Sequence, residues 1–303
     1  RLSSVSNGVS DLHSKTANNM WQHVENRSEI IAITNGVHRS TWVNKEINDN
    51  YQNKDKLWEI HQKQKEKLIK FVKKKTGQNL DKDTLLIGFA RRAAPYKRGV
   101  FIFRDEEKIA SFLYEGKIQL IFSGKAHPLD DQGKEIVAKQ VKMARKYPDS
   151  VVFLENYDME IAHYLVQGCD LWLNNPRKPK EACGTSGIKA AMNGVLNLSI
   201  LDGWWPEVCE HGVNGWQIGE GMELDKFKGD YQQRINNQDI YDLKCLYEVL
   251  FSEVIPVYYE KHEKWVDMMQ KSIDSTYDRF SAARMIKDYY DKMYNITQYY
   301  LLE

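Results

Sequence analysis

The run Leu85-Leu86-Ile87-Gly88-Phe89-Ala90 is apolar at every position, and Arg91-Arg92-Ala93-Ala94-Pro95-Tyr96-Lys97-Arg98 follows it at once. A strand with one wet face alternates apolar and polar residues, so a run without alternation reads as a strand buried on both faces, as in a parallel sheet covered by helices. Ile118–Ser123, Val151–Glu155, Leu171–Asn174 and Leu196–Leu201 are runs of the same kind, separated by longer charged, helix-patterned stretches. That alternation predicts an α/β chain, a Rossmann-like parallel sheet covered by helices. Between Lys56 and Lys75, Leu57, Ile60, Gln64, Leu68, Phe71 and Val72 recur at three- and four-residue steps. This predicts an amphipathic helix whose lysines, Lys65 among them, form a solvated face. From Asp242 to Glu303 the pattern is helical, and Tyr289, Tyr290, Tyr294, Tyr299 and Tyr300 near its end predict a surface that packs on something else.

Composition narrows the function classes. The chain sets 43 Lys+Arg against 42 Asp+Glu, a formal charge of +1, so no net field draws it to nucleic acid or to an anionic membrane. No stretch approaches the roughly 18 consecutive apolar residues that a spanning helix needs. Cys169, Cys183, Cys209 and Cys245 show neither CxxC nor CxxxC spacing, which argues against a zinc site and a secreted disulfide framework and predicts a reducing, cytoplasmic compartment. The opening RLSSVSNGVSDLHSK has no signal-peptide pattern and begins with Arg1, from which we expect a chain that starts inside a longer gene product.

Three segments could carry chemistry. Arg91, Arg92, Lys97 and Arg98 crowd just past the carboxyl end of a strand, where open α/β sheets bind ligands. Guanidinium forks and a lysine point charge suit an anionic phosphate, although a solvated charged loop has the same spacing. In Glu181-Ala182-Cys183-Gly184-Thr185-Ser186-Gly187-Ile188-Lys189, a small-residue turn runs into a helix. Its glycines would let backbone N–H groups approach a second anion, and Lys189 among small and apolar neighbours would lose its proton easily. A plain glycine-rich helix start remains the alternative. Asp202, Trp204, Trp205 and Glu207, followed by Asn214-Gly215-Trp216, join acids to indoles in a way that suits a sugar, and equally suits core aromatics beside a turn.

Taken together, these segments resemble the C-terminal half of the α-glucan phosphorylases, the family of glycogen, starch and maltodextrin phosphorylases. The resemblance is carried in family order by NGVSDLHS at Asn7–Ser14, TNGVHRSTW at Thr34–Trp42, RRAAPYKR at Arg91–Arg98, FSGKAHP at Phe122–Pro128, FLENYD at Phe153–Asp158 and EACGTSGIKAAMNG at Glu181–Gly194. The wording is most similar to the short bacterial and archaeal branch. The resemblance implies the C-terminal domain of a GT-B fold and pyridoxal 5′-phosphate held as a Schiff base on Lys189. It further implies that Arg92 and Lys97 grip inorganic phosphate, and that Arg91 with the backbone of Thr185 and Ser186 holds the cofactor phosphate. Tyr157 would lie by the cofactor. Glu181, Gly184, Asn35 and the residue at Cys183 would contact the glucosyl unit, with Tyr96 beside them.

The implied reaction is reversible phosphorolysis of an α-1,4-glucan end by inorganic phosphate, giving α-glucose 1-phosphate with retained configuration. No metal is implied, and the intact enzyme would be a homodimer. Cys183 departs from the family's serine, which exchanges a hydroxyl contact to sugar for a weaker thiol contact. The resemblance divides the chain into residues 1–33, belonging to a missing N-terminal domain; 34–285, the Rossmann-like domain; and 286–303, a helix crossing back to that domain. Half a cleft is expected to be catalytically silent, with exposed apolar surface that self-associates. Two other classes compete with this reading. A nucleotide-sugar transferase of the glycogen or starch synthase kind shares the architecture, but the second acid of its Glu-x7-Glu element would fall at position 189, which is lysine. The other is a non-catalytic glucan-binding domain.

Overall fold

The computed structural model describes residue 3 and residues 5–294. Two short strands, β1 (Ser6–Gly8) and β2 (Ile30–Ala32), pair in parallel around the helix Asp11–Met20. The main sheet holds β3 (Leu85–Ala90), β4 (Ile118–Ser123), β5 (Val151–Leu154), β6 (Leu171–Asn174), β7 (Leu196–Ile200) and β8 (Gly215–Ile218). Its order is β5-β4-β3-β6-β7-β8, parallel throughout. The chain winds outward from β3 to one edge, returns to β6 and winds to the other. The direction of winding therefore reverses between β3 and β6, and the carboxyl ends of those two strands border the crevice where such sheets take ligands.

Alternate residues of β3 feed separate cores. Leu85, Ile87 and Phe89 pack with Ile109, Leu113 and Leu246, whereas Leu86 and Ala90 pack with Leu68, Phe71, Ile161 and Leu165. A helical layer on each face leaves no side of the strand wet, which is why the sequence run does not alternate. Gly88 breaks the run because a Cβ there would lie 2.6 Å from Cys169 Sγ and 2.8 Å from the Trp172 ring.

The amphipathic helix spans Lys54–Thr76. The Asn53 side chain accepts from Lys56 N at its start, and Gly77, at φ +79°, closes its end. Leu57, Ile60, Leu68, Phe71 and Val72 are buried as its period predicts. Lys65 corrects the sequence expectation, since it is fully buried and not on the solvated face. Its Nζ donates to Asp170 Oδ2 (2.6 Å), Thr84 O (2.7 Å) and Tyr258 Oη (2.9 Å), and His61 Nε2 meets Asp170 Oδ1 at 2.9 Å. Burial alone would raise the Asp170 carboxyl, but Lys65 and His61 outweigh it and hold it below its ordinary value. A lysine with partners this complete is buried without an uncompensated charge.

The tail is helical, with His262–Thr276 and Ala282–Tyr289 followed by a π-turn at Tyr290–Tyr294; Tyr299 and Tyr300 lie outside the described residues. Ile286, Tyr290 and Tyr294 are exposed, as are Met20 and Trp21 at the end of the first helix. The opening segment is tied to the sheet domain: Ser10 Oγ donates to Ala182 O (2.7 Å) and Asn7 Nδ2 to Tyr289 Oη (3.1 Å). No described helix is long and apolar enough to cross a membrane.

Candidate active site

Two loops meet at the switch point, and buried side chains brace them. The first leaves β3 with Arg91, whose Nη2 reaches Leu173 O (3.3 Å) and the Asn174 side chain at the end of β6. Asn174 Nδ2 donates to Asn197 Oδ1 (2.9 Å), and Asn197 Nδ2 donates to Gly187 O (3.0 Å) on the short helix Thr185–Ala191. This relay of asparagines ties the carboxyl ends of β3 and β6, through the start of β7, to the helix that carries Lys189. Burial lowers the Arg91 pKa while Glu181, Tyr157 and Tyr96 act the other way, so all three lie within its field. Arg91 Nε is buried without a hydrogen-bond partner.

Further along that loop the cations divide. Lys97 Nζ, which lies over the Tyr96 ring at 4.9 Å, pairs with Glu181 Oε2 at 2.5 Å. Arg92 is exposed and has no ion pair among the described residues. Arg98 turns away from the crevice. In a left-handed conformation (φ 53°) it donates to Asn175 O (2.7 Å), Pro176 O (3.0 Å) and Asp239 Oδ1 (3.0 Å), with Asp242 Oδ2 at 2.8 Å but off the hydrogen-bonding direction. Of the four cations that spacing offered to an anion, Arg98 is thus a brace.

The second loop begins with Glu181, whose N–H donates to Asp202 Oδ2 (2.9 Å), and reaches the helix through Gly184 at φ +88°. No side chain caps the helix, so its first N–H groups, those of Thr185 and Ser186, have no side-chain acceptor. Gly187 serves packing and not anion approach, because a Cβ there would lie 2.8 Å from Asn197 Oδ1 and 3.0 Å from Trp204 Nε1. Lys189 has no carboxylate partner among the described residues, its Nζ sits 3.4 Å from the Trp42 ring centroid, and burial lowers its pKa as its small neighbours predict. Tyr157, in the β5 loop, is partly buried, and burial raises its pKa.

Asn35 arrives from the chain's opening. Its N–H donates to Val9 O (3.1 Å), and its polar groups oppose the burial that pushes the Cys183 thiol up to about 12. Cys183 is therefore a neutral, poorly nucleophilic thiol. The segment after β7 corrects the sugar-platform alternative: Trp204, Trp205 and Trp216 are all at most 3% exposed and pack in the core. Glu207 accepts from Asp11 N and Thr34 Oγ1, each at 3.0 Å, and so anchors the opening segment. Asp202 spans Glu181 N and Gly203 N, and burial pushes its carboxyl up to about 7. Gly203, at φ +60°, has Cys183 O only 2.2 Å from where a Cβ would stand.

Sequence reasoning missed the braces. Asn174 and Asn197 were legible as polar interruptions in apolar runs, whereas nothing in the sequence pairs Arg98 with Asp239 or Lys189 with Trp42.

The chain also matches known proteins. Residues 43–301 match the family model for carbohydrate phosphorylases. The chain is 40% identical to a maltodextrin phosphorylase of Thermococcus litoralis, 37% to a glycogen phosphorylase of Aquifex aeolicus and 33% to one of Mycobacterium tuberculosis, each over 97% of its length. It spans 40%, 48% and 39% of those relatives' own lengths.

Proposed function

The chain belongs to the carbohydrate phosphorylase family, and on that premise we propose that it forms the phosphate-binding half of a pyridoxal 5′-phosphate-dependent α-1,4-glucan phosphorylase. The reaction is transfer of a terminal glucosyl unit to inorganic phosphate, releasing α-glucose 1-phosphate. The observation that carries this reading is Lys189: a lysine at a strand switch point, without a carboxylate partner among the described residues and with its pKa lowered by burial. The site's other features suit the cofactor. Arg91 offers a buried, unpartnered Nε, and the uncapped turn at Gly184 leaves the N–H groups of Thr185 and Ser186 for a phosphate. Lys189 would hold the cofactor's aldehyde, and Tyr157 would flank it.

When bound, the cofactor supplies a phosphate that shares a proton with the substrate phosphate. The protein's own part is electrostatic and positional. Arg92 and Lys97 bind the substrate phosphate, and their charge opposes repulsion between two phosphate groups held close together. Glu181, Gly184 and Asn35 orient the glucosyl unit by its hydroxyls, with Cys183 as a weak partner and Tyr96 supporting Lys97. The bond from C1 to the glycosidic oxygen breaks as a phosphate oxygen joins C1, and the proton on that phosphate passes to the departing glucan hydroxyl. Buried neighbours around Asp202 and Arg98 fix these groups without touching substrate.

Lysine at position 189 speaks against the nucleotide-sugar transferase, whose chemistry would use a carboxylate there. We further propose that residues 1–33 and 286–303 pack against an N-terminal domain, that the chain alone releases no glucose 1-phosphate, and that the intact enzyme is a cytoplasmic homodimer. The test is to incubate the chain with pyridoxal phosphate, reduce with borohydride and map the modified lysine by mass spectrometry. Stoichiometric labelling confined to Lys189 and lost in Lys189→Ala is expected. Labelling scattered over surface lysines, together with tight binding of a nucleotide-sugar, would overturn the proposal.

A further inference from the structure

Lys97 and Glu181 are the two groups assigned to opposite ligands, phosphate and sugar, yet they hold each other at 2.5 Å with their side chains only 12% and 11% exposed. Their backbones are not free to part. Arg177 N donates to Tyr96 O (2.8 Å), Asn175 Nδ2 donates to Arg98 O (3.0 Å), Arg98 grips the carbonyls of Asn175 and Pro176, and Asp202 holds Glu181 N. The two loops are thus cross-braced beneath the pair, and only the side chains can move. The Tyr96 ring, 4.9 Å from Lys97 Nζ, gives the ammonium a surface along which to swing.

We propose that the Lys97–Glu181 pair is a latch that makes phosphate and sugar binding depend on one another. The inference rests on the functional reading above and adds regulation of the same site. An incoming phosphate competes with Glu181 for Lys97. If it wins while the sugar position is empty, it leaves a poorly solvated carboxylate beside a second anion, which is unfavourable. A sugar whose hydroxyls donate to Glu181 removes that cost, and a phosphate that takes Lys97 frees Glu181 to accept them. Each ligand therefore binds better after the other, and by linkage the two enhancements are equal.

The distinguishing prediction is that removing a ligand-binding carboxylate tightens anion binding. Titration calorimetry of the chain with inorganic phosphate, without sugar, should show Glu181→Gln binding about 5-fold or more tighter than the unsubstituted chain, the lower end of ordinary coupling. In a Lys97→Ala background the same substitution should change phosphate affinity by less than about 2-fold, since the partner through which it acts is gone. Saturating glucose should tighten phosphate binding to the unsubstituted chain and not to Glu181→Gln. Circular dichroism melts of each variant check that the fold is kept. Unchanged or weaker binding by Glu181→Gln overturns the latch, and so does a gain that persists in Lys97→Ala, which would mark a general field effect. If phosphate binds the unsubstituted chain and needs Arg92 and Lys97, either result leaves the phosphorylase reading standing. If phosphate binds neither the chain nor any variant, the latch falls, while labelling of Lys189 by pyridoxal phosphate decides the phosphorylase reading separately.

Discussion

Asp202 is acceptor to two backbone N–H groups in the turn that carries Glu181 and Cys183, and its carboxyl is held at about 7 against an ordinary 3.8. A carboxyl raised on folding binds more protons in the native than in the unfolded state between those values, so stability falls as pH rises from about 4 to about 7. The steepest slope one proton can give is about 1.4 kcal/mol per pH unit. Urea denaturation at several pH values should show that slope between pH 5 and 7 in the unsubstituted chain and a flatter one in Asp202→Asn. A variant that titrates identically would remove Asp202 from the account. Cys183 is tested at the same scale. Serine offers a stronger acceptor and donor than a thiol in a slightly smaller side chain, so Cys183→Ser should bind glucose a few-fold more tightly by calorimetry.

Among the elements, β3 and the helix Lys54–Thr76 carry the clearest tests. A methyl group at Gly88 would push into Cys169 and Trp172, whose buried positions leave little room to yield. Gly88→Ala should therefore cost about 1–3 kcal/mol in chemical denaturation. Lys65→Met would leave Asp170 with His61 and the Leu86 N–H but without its ammonium partner, at a cost of about 3–5 kcal/mol. Adding Asp170→Asn should recover part of that loss, because the two residues are in contact and their effects are not additive. A double variant as unstable as the sum of the singles would refute the coupling. The Lys54–Thr76 period was plain in the sequence, but not that one lysine on it faces inward, since an inward lysine depends on a carboxylate 105 positions away in the chain.

At the scale of the whole molecule, the exposed row Ile286, Tyr290 and Tyr294, with Met20 and Trp21, leaves apolar surface without a partner. The chain on its own should self-associate with rising concentration. Light scattering that reports a monomer throughout the accessible range would show this surface to be tolerated in water. The winding order of the sheet also belongs to this scale. It brings the carboxyl ends of β3 and β6 side by side although 80 residues separate Ala90 from Leu171, and only there do Arg91 and Asn174 meet.

The sequence by itself determined the buried parallel strands, because burial on both faces suppresses alternation in Leu85–Ala90 and its companions. It also marked the cationic loop after β3 and the small-residue turn before Lys189, since anion chemistry restricts the residue types and spacing used there. Tertiary structure alone decided which residues of those segments face the crevice. Lys97 turned to Glu181 and Arg98 to Asp239, although adjacent in sequence and alike in charge. Trp204 and Trp205 went into the core and not to a sugar. The physical reason is the same each time: a side chain's charge or apolar area is local, but the partner that satisfies it arrives from a distant part of the chain, and only folding sets that distance.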